Sequence, residues 1–414
     1  MMGDRTILHC DCNGFYASVE CILRPELKHV PMAVCGDPDS RHGIILAKNE
    51  LAKHFQVQTA ETIWQARRKC PELTLVPPHH EQYLNYSRIV NQIYQQYTDL
   101  VEPFGIDESW LDITGSEKLF GDGKTIADTL RRRIREEVGL TISVGVSFNK
   151  VFAKLGSDYK KPDATTVINR ENFRELVWKL PASDLLFVGK SVAAELRKMA
   201  ITTIGELAAA DRDRLVRRLG KIGETLHDYA NGMDNSPVRS IYEEREVKSV
   251  GNGMTFKRNL IGLEDVRLGV LSLADQVGAR LRKRGMQCLT VQVTIRDPDF
   301  KTITRQRTLE SPTCLAKELA EISLDIIQHE WDLRKPIRML TITANNLITA
   351  GEAGEQMTLF NGEDRLQKKE KQEKLETALD VIRGKFGQSA IGAAGILGND
   401  IGIGFSPTER EEHS

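Results

Sequence analysis

Two adjacent carboxylates, Asp107 and Glu108, stand between apolar stretches in VEPFGIDESWLDIT and constrain this chain more than any other feature. On a regular strand, neighbouring side chains point to opposite faces of the sheet. At the tip of a β-hairpin the two can converge, and carboxylates that converge against their mutual repulsion usually hold a divalent cation. Asp11 ends the apolar run Thr6–Cys10 and offers a third oxygen ligand. A strand-end Asp with an Asp-Glu hairpin suits Mg²⁺, a hard ion that takes oxygen ligands and is often shared with substrate phosphates. Asp-Glu by itself reads equally well as two surface acids in a turn; Asp11 and the flanking sequence weigh against that.

The elements around these carboxylates follow a ferredoxin-like β-α-β-β-α-β order. Thr6–Asp11 reads as a strand and Phe15–Ile22 as a helix. Strands at Met32–Cys35 and Ile44–Leu46 follow, then helices at Asn49–Phe55 and Gln65–Cys70, with Pro71, Pro77 and Pro78 punctuating the exit. His79–Leu100 is an amphipathic helix with Tyr83, Ile89, Ile93, Tyr97 and Leu100 at apolar positions. Beyond the hairpin come a helix at Ile126–Val138 and a strand at Thr141–Val146. Pro181–Pro237 reads as short helices, and Ser236–Glu246 as a polar linker. Further on, β-patterned runs at Leu289–Ile295 and Met339–Ala344 bracket helical stretches at Leu263–Arg284 and Pro312–Glu330. After Ala350 the chain turns polar and glycine-rich, with a charged helix at Gln367–Phe386 and no internal repeat.

At 414 residues the chain is too long for one ordinary domain and invites two to four. No apolar run could span a bilayer and no secretory signal is visible, so a soluble, cytoplasmic protein without membrane association is expected. The seven cysteines are scattered with no Cys-x-x-Cys, which argues for reduced thiols and against zinc. A net charge of −1 does not by itself suggest nucleic acid. Its distribution does: Val247–Ala350 carries 16 Lys and Arg against 11 Asp and Glu. Acids gathered at a metal centre and bases holding phosphates elsewhere would give that pattern.

The blocks CDCNGFYASVE, PFGIDESWLD and SVGVSFNKVFAKLGSDYKKPD, in that order and spacing, closely resemble the Y-family translesion DNA polymerases of the DNA polymerase IV type. The resemblance runs from about Ile7 to Leu347 and adds a motif at Gln356–Phe360. It implies an α+β multidomain fold. A ferredoxin-like palm would take residues 1–14 and 78–168, fingers 15–77, and a helical helix-hairpin-helix thumb 169–236. A linker would follow at 237–246, then an α/β little finger at 247–350 and a tail with a clamp-binding motif at 351–414. The resemblance further implies a monomer that works on primer-template DNA and dNTPs, binds the sliding clamp (the β subunit), copies with low processivity and no proofreading, and serves lesion bypass.

Its site residues carry over onto matching positions. Two Mg²⁺ ions would lie roughly 3.5–4 Å apart, bridged by Asp11 and Asp107. Glu108 would bind the catalytic ion, and the backbone carbonyl of Cys12 would complete the nucleotide-side ion. Phe15 and Tyr16 match the aromatic pair under the incoming sugar, Tyr16 being the steric gate against a 2′-hydroxyl. Lys161 matches the triphosphate lysine, although a lone Lys-Pro would otherwise read as a surface turn. The fingers depart from the pattern. Family members carry Asn-Tyr-x-Ala-Arg, with Tyr and Arg on the β- and γ-phosphates; here the run is Asn49-Glu50-Leu51-Ala52-Lys53. Lys53 keeps the charge but loses the bidentate fork of arginine, and Glu50 adds negative charge near a polyanion. Either Glu50 points away and Lys48 substitutes, or nucleotide affinity is low. Ile44 and Leu46 stand where the family often has smaller side chains above the templating base, as strand core or as a bulkier roof.

Gly189, and Gly220 with Gly223, open thumb helices and resemble helix-hairpin-helix elements, whose backbone N–H groups grip DNA phosphate without reading sequence. Phe187 stands where a glycine is usual. Arg280, Arg282, Lys283 and Arg284 close a helix, where the dipole also favours bases; Arg305 and Arg307 on a second strand extend a phosphate-facing surface. Gln356-Met357-Thr358-Leu359-Phe360 resembles the bacterial clamp-binding pentapeptide, Gln anchoring by hydrogen bonds while Leu and Phe fill an apolar pocket. Two competing readings are another palm-based enzyme such as a nucleotidyl cyclase, and a non-catalytic, clamp-tethered DNA-binding protein. The thumb, basic C-terminal region and clamp motif weigh against the first, the intact carboxylates against the second.

Overall fold

Residues 7–12, ILHCDC, are buried at every position but the half-buried Asp11, as expected of a strand covered on both faces. A computed structural model describes residues 4–38, 43–243, 246–350, 362–387, 390–392 and 398–403, and the chain divides into two compact units, Met1–Glu244 and Arg245–Ser414. The strands of the first unit are β1 (Ile7–Cys12), β2 (Met32–Cys35), β3 (Ile45–Lys48), β4 (Thr74–Val76), β5 (Val101–Pro103), β6 (Glu108–Asp112), β7 (Ile142–Ser147) and β8 (Thr165–Ile168). The main sheet has the order β5-β6-β1-β7-β8, with β1 at its centre.

The two faces of β1 have different work. Leu8, Cys10 and Cys12 pack with the His80–Gln95 and Gly123–Arg133 helices, in a core that includes Tyr83, Ile93, Ile126 and Leu130. Ile7, His9 and Asp11 point the other way, toward the Lys150–Tyr159 helix. That helix comes unusually close because Gly145, opposite His9 on β7, has no side chain. A Cβ at Gly145 would lie 1.8 Å from the Ala153 carbonyl oxygen. Any larger residue would push the helix off the sheet, and Lys154 and Ser157 with it. The expected strands and helices recur here with ends shifted by one to three residues. There are two exceptions: the helix expected at Ile126–Val138 is α-helical only over Gly123–Arg133 and passes into a π-helical turn at Ile134–Val138, and the long amphipathic helix stops at Gln95 rather than Leu100. Just past Gln95, Thr98 Oγ1 donates to the Asp112 carbonyl (2.8 Å) and the Leu100 carbonyl accepts from Asp112 N–H (3.0 Å), drawing the chain into the sheet.

A smaller sheet, β3-β2-β4, carries the Glu50–His54 and Ile63–Lys69 helices. Asn49 ties it together. Its Oδ1 accepts from Met32 N–H (3.1 Å) and Ala52 N–H (3.0 Å), and its Nδ2 donates to the Val30 (2.8 Å) and Leu27 (3.2 Å) carbonyls. Four helices, Lys190–Lys198, Ile204–Ala209, Arg212–Leu219 and Lys221–Ala230, enclose Leu196, Leu207, Leu215 and Leu226, as expected of the all-helical segment.

The second unit has β9 (Ser249–Leu260), β10 (Met286–Arg296), β11 (Thr302–Thr313) and β12 (Ile337–Thr349), in the antiparallel order β11-β10-β12-β9. The Gly262–Lys283 and Ala316–Glu330 helices bury Val270, Leu273, Leu319 and Ile327 with Val291, Val293 and Leu340. β9 escapes the sequence reading because two glycines and two asparagines blur its alternation, and pairing with β12 supplies its order. The charged helix after residue 361, Gly362–Phe386, is not a free tail. Its Glu376 and Asp380 grip Arg282, Arg383 bonds Asp275 (2.9 Å), and farther on Ile401 and Ile403 enter the core.

Candidate active site

Strand register builds the centre. Asp11 on β1 lies directly across from Glu108 on β6, and His9 across from Trp110. Directly paired residues share a face, so Asp11 and Glu108 are neighbours. Asp107 is the last residue of the β5–β6 connection, and its carbonyl accepts from Cys12 N–H at 2.9 Å. The hairpin therefore supplies one carboxylate from its loop and one from its first strand residue, and β1 brings the third. Ligand atoms of His9, Asp11 and Glu108 fall within 4.8 Å of one another, while Asp107 stands outside that group. His9 is the residue that sequence reasoning missed. Its position two residues before Asp11, on the same face, was the available signal.

Two ammonium groups reach the carboxylates. Lys161 Nζ is 2.9 Å from Asp11 Oδ2 and 2.7 Å from Asp158 Oδ1. Lys154 Nζ is 2.5 Å from Glu108 Oε2, and His9 Nε2 is 3.2 Å from the same oxygen. Ser157 Oγ lies 2.8 Å from both His9 Nδ1 and the Lys154 carbonyl oxygen, and so holds the imidazole with Nε2 toward Glu108. These surroundings drive the adjacent acids apart. Burial, reinforced by repulsion from Asp11, pushes Asp107 up to about 6. Burial works against Glu108 as well, but His9 and Lys154 overcome it and hold that carboxyl down at about 2. Asp11 is raised by burial, against the pull of Lys161. The result is three hard oxygen donors beside two cations, an arrangement suited to a divalent ion that shares its other positions with a polyphosphate.

The aromatic pair sits at the start of the Phe15–Leu23 helix. Phe15 is buried, and Tyr16 stacks on Tyr83 with ring centroids 4.1 Å apart and 13° between planes. The Tyr83 hydroxyl donates to buried Glu20 (2.6 Å), which His79 and Arg24 also contact at 2.7 and 2.9 Å. Tyr83 reads in the sequence as one apolar helix position; its bond to Glu20 depends on two helices meeting.

Residues 10–158 match the impB/mucB/samB family, and residues 247–359 match that family's C-terminal domain. DNA polymerase IV of Acetivibrio thermocellus is 46% identical over 399 residues, covering 96% of this chain and 99% of that protein. The chain belongs to the Y-family DNA polymerases, of the DNA polymerase IV type. DNA polymerase IV of Clostridium kluyveri is 37% identical over 396 residues, 95% of this chain and 98% of that protein. Among solved structures, a Y-family DNA polymerase chimera shares the fold with a TM-score of 0.73 at 21% identity, covering 83% of this chain and 99% of that one.

Other expected residues of the polymerase divide into those the fold leaves available and those it occupies. Lys53 is exposed and pairs with Glu50 at 3.4 Å. Gly189 and Gly220 cap their helices without a side-chain hydrogen bond, leaving N–H groups at the helix starts. Phe187 adopts φ 69, the left-handed backbone in which a glycine would be at ease. Gly223 requires a correction. It lies buried inside the Lys221–Ala230 helix, its N–H donates to the Gly220 carbonyl (3.0 Å), and a Cβ there would meet the Leu215 carbonyl at 2.4 Å. It lets two helices approach and has no N–H free for phosphate. Arg282 is a second correction: its side chain is 10% exposed and saturated by Glu376, Asp380 (2.7 Å) and the Cys314 carbonyl (3.0 Å). Arg280, Lys283, Arg284, Arg305 and Arg307 stay exposed, the last two paired with Glu330 (2.7 Å) and Asp325 (2.5 Å). Gln356, Met357, Thr358, Leu359 and Phe360 lie outside the described residues. All seven cysteines are free and buried. Among the described residues, no helix is long and apolar enough to cross a membrane.

Proposed function

We propose that this polymerase joins dNTPs to a primer 3′ end by Mg²⁺-assisted nucleotidyl transfer at Asp11, Asp107 and Glu108, with Lys161 on the triphosphate and Tyr16 as the sugar gate. The enzyme is a DNA-directed DNA polymerase of the translesion class, working on template DNA and dNTPs. The observation that carries the site assignment is the cross-strand Asp11–Glu108 pair with Lys161 Nζ 2.9 Å from Asp11. The donors suit hard cations, since carboxylate oxygens dominate and both ring nitrogens of His9 already face Ser157 and Glu108. Asp11, Asp107, Glu108 and the Cys12 carbonyl would hold two Mg²⁺ ions, which when bound neutralise the triphosphate and favour an ionised 3′-hydroxyl.

The chain's own groups do the positioning. Glu108 stays ionised throughout the working pH range because His9 and Lys154 outweigh its burial. Lys161 stays protonated, since Asp11 and Asp158 overcome the burial that works against its charge. It thus presents a fixed positive charge where phosphate charge develops, as phosphoryl transfer requires. Tyr16, flat against Tyr83, presents a rigid ring to the sugar. The domain boundaries given by the resemblance, a monomeric state and a cytoplasmic setting complete the reading. The open helix starts at Gly189 and Gly220 and the exposed Arg280, Lys283, Arg284, Arg305 and Arg307 would hold phosphates. Gln356–Phe360 would engage the sliding clamp from a connection between β12 and the docked Gly362–Phe386 helix. Running-start primer extension with single dNTPs and Mg²⁺ tests the assignment. Asp107→Ala and Glu108→Ala should abolish templated extension and leave DNA binding largely intact; normal extension by either at saturating Mg²⁺ would overturn it.

A further inference from the structure

Arg131, on the Gly123–Arg133 helix, takes hold of the chain two residues beyond Lys161. Its guanidinium embraces Asp163: Nε and Nη2 donate to Oδ1 at 3.2 and 2.9 Å, and Nη2 also donates to the Asp163 carbonyl. Arg135 donates to the other carboxylate oxygen. One rigid fork thus holds both the main chain and the side chain of a single residue, a geometry that the point charge of a lysine does not reproduce. Asp163 has φ 51, in the left-handed region that is disfavoured for an L side chain and persists where the surroundings impose it.

What the grip controls is the segment that carries Lys161. The Lys150–Tyr159 helix ends two residues before it, and on the far side the Ala164 carbonyl accepts from Val144 N–H (2.8 Å) and starts β8 along the sheet. Residues 160–163 bridge these two fixed points, with Lys160, Lys161 and Pro162 exposed. Pro162, whose ring fixes its φ, passes the orientation of Asp163 on to Lys161 with little slack. Lys161 Nζ in turn lies 2.9 Å from Asp11. Arg131 refers this segment to the strand that bears Asp11, because the buried face of its helix packs Ile126 and Leu130 with Leu8 and Cys10 of β1. Asp128 keeps the fork aligned, accepting from Arg131 Nη1 (3.3 Å) and from the Thr165 hydroxyl (2.7 Å).

We infer that Arg131, assisted by Arg135, is a positioning residue for nucleotide binding: by fixing Asp163 it holds the Lys161 ammonium where the triphosphate is met. The inference rests on the polymerase reading, in which Lys161 contacts the triphosphate, and adds two residues that act through it. A lysine ammonium is a point charge on a flexible four-carbon stem, so the backbone from which the stem starts decides where the charge can go. Arg131 sets that starting point against β1, and with it the spacing between the Lys161 charge and the Asp11 carboxylate.

Steady-state single-nucleotide insertion by the full chain tests this with Arg131→Met, Arg131→Lys, Asp163→Asn, Lys161→Ala and the double variant Arg131→Met with Lys161→Ala. Misplacing a binding group by about an ångström costs up to about a hundredfold, so Arg131→Met should lower kcat/KM for the dNTP roughly ten- to a hundredfold. Arg131→Lys and Asp163→Asn should lose less. Inorganic tripolyphosphate, used as a competitor, should inhibit Arg131→Met more weakly than the unaltered enzyme, with affinity for primer-template DNA unchanged. Once Lys161 is gone, adding Arg131→Met should change kcat/KM by less than about twofold, because both substitutions remove the same contact. Equal losses in the two backgrounds would mean a merely structural arginine and overturn the inference, as would unaltered kcat/KM and tripolyphosphate inhibition in Arg131→Met. Should Arg131→Met fail to fold, Asp163→Asn keeps the shape, loses only the charge, and makes the same comparison with Lys161→Ala. A Lys161→Ala enzyme with undiminished kcat/KM and unaltered tripolyphosphate inhibition would remove Lys161 from the triphosphate and the inference with it. A Lys161→Ala defect without an Arg131→Met defect falls on Arg131 alone and leaves the broader reading in place.

Discussion

Asp107→Asn should make the metal-free protein more stable at pH 7.5 while abolishing extension. Burial, with repulsion from Asp11, lifts Asp107 from an ordinary 3.8 to about 6. A gap of about two units, at ~1.4 kcal/mol each, sets the cost of ionising it within the fold at up to about 3 kcal/mol. Partial exposure reduces this, and ~1–3 kcal/mol is the useful range. Because the folded value lies above the unfolded one, the carboxyl's favourable contribution is complete below the unfolded value. It is lost as pH rises through about 6. Asparagine keeps the shape and cannot ionise. Its advantage should therefore be about half as large at pH 5 as at pH 7.5. For a unit of this size each kcal/mol moves the melting temperature by about 2–4 °C, which calorimetry in EDTA would resolve. Glu108→Gln should move the other way. Although burial opposes its charge, His9 and Lys154 hold Glu108 at about 2 instead of 4.5. Its ionised form therefore stabilises the fold above the unfolded value, and that contribution is lost as pH falls through about 2. Equal melting of Asp107→Asn and the unaltered protein at pH 7.5, a gain independent of pH, or same-sign shifts in the two variants would refute the reasoning.

Tyr16→Ala should admit ribonucleotides, since a ring held against Tyr83 is replaced by space for one oxygen; an unchanged dNTP-to-rNTP ratio would reduce Tyr16 to packing. Arg282→Met strands Glu376 in the interior, so unfolding of the second unit should become easier by about 3–5 kcal/mol, less if the Gly362–Phe386 helix undocks first. The slope of log affinity for DNA against log salt should not change in that variant, whereas Arg307→Ala should flatten it by about 0.9, the signature of one lost phosphate contact. Leu359→Ala with Phe360→Ala should leave synthesis on bare primed DNA unchanged and remove stimulation by the sliding clamp, because a tether raises local concentration without touching the active site; full clamp response in that double variant would place the contact elsewhere.

The reactive groups of the centre were legible in the chain itself. Asp11, Asp107, Glu108 and Lys161 stand in short blocks whose residue types carry the chemistry, and strand alternation together with the hairpin predicts which side chains can converge. Periodicity likewise marked the amphipathic helix that holds Tyr83. What local pattern cannot reveal is partnership. A histidine in an apolar strand reads as core, and His9 became part of the centre only because Gly145 lets the Lys150–Tyr159 helix bring Ser157 and Lys154 down to it. Gly223 looked like a phosphate-binding glycine until the neighbouring helix closed over it. Arg282 looked like a DNA contact, yet its partners Glu376 and Asp380 lie 94 and 98 residues further along. Residue type determines what a group can do, and that is written in order along the chain. Which charge is answered, which acid is pushed to about 6 and which is held near 2 depends on burial and on neighbours brought together by register and packing, and only the tertiary structure decides those.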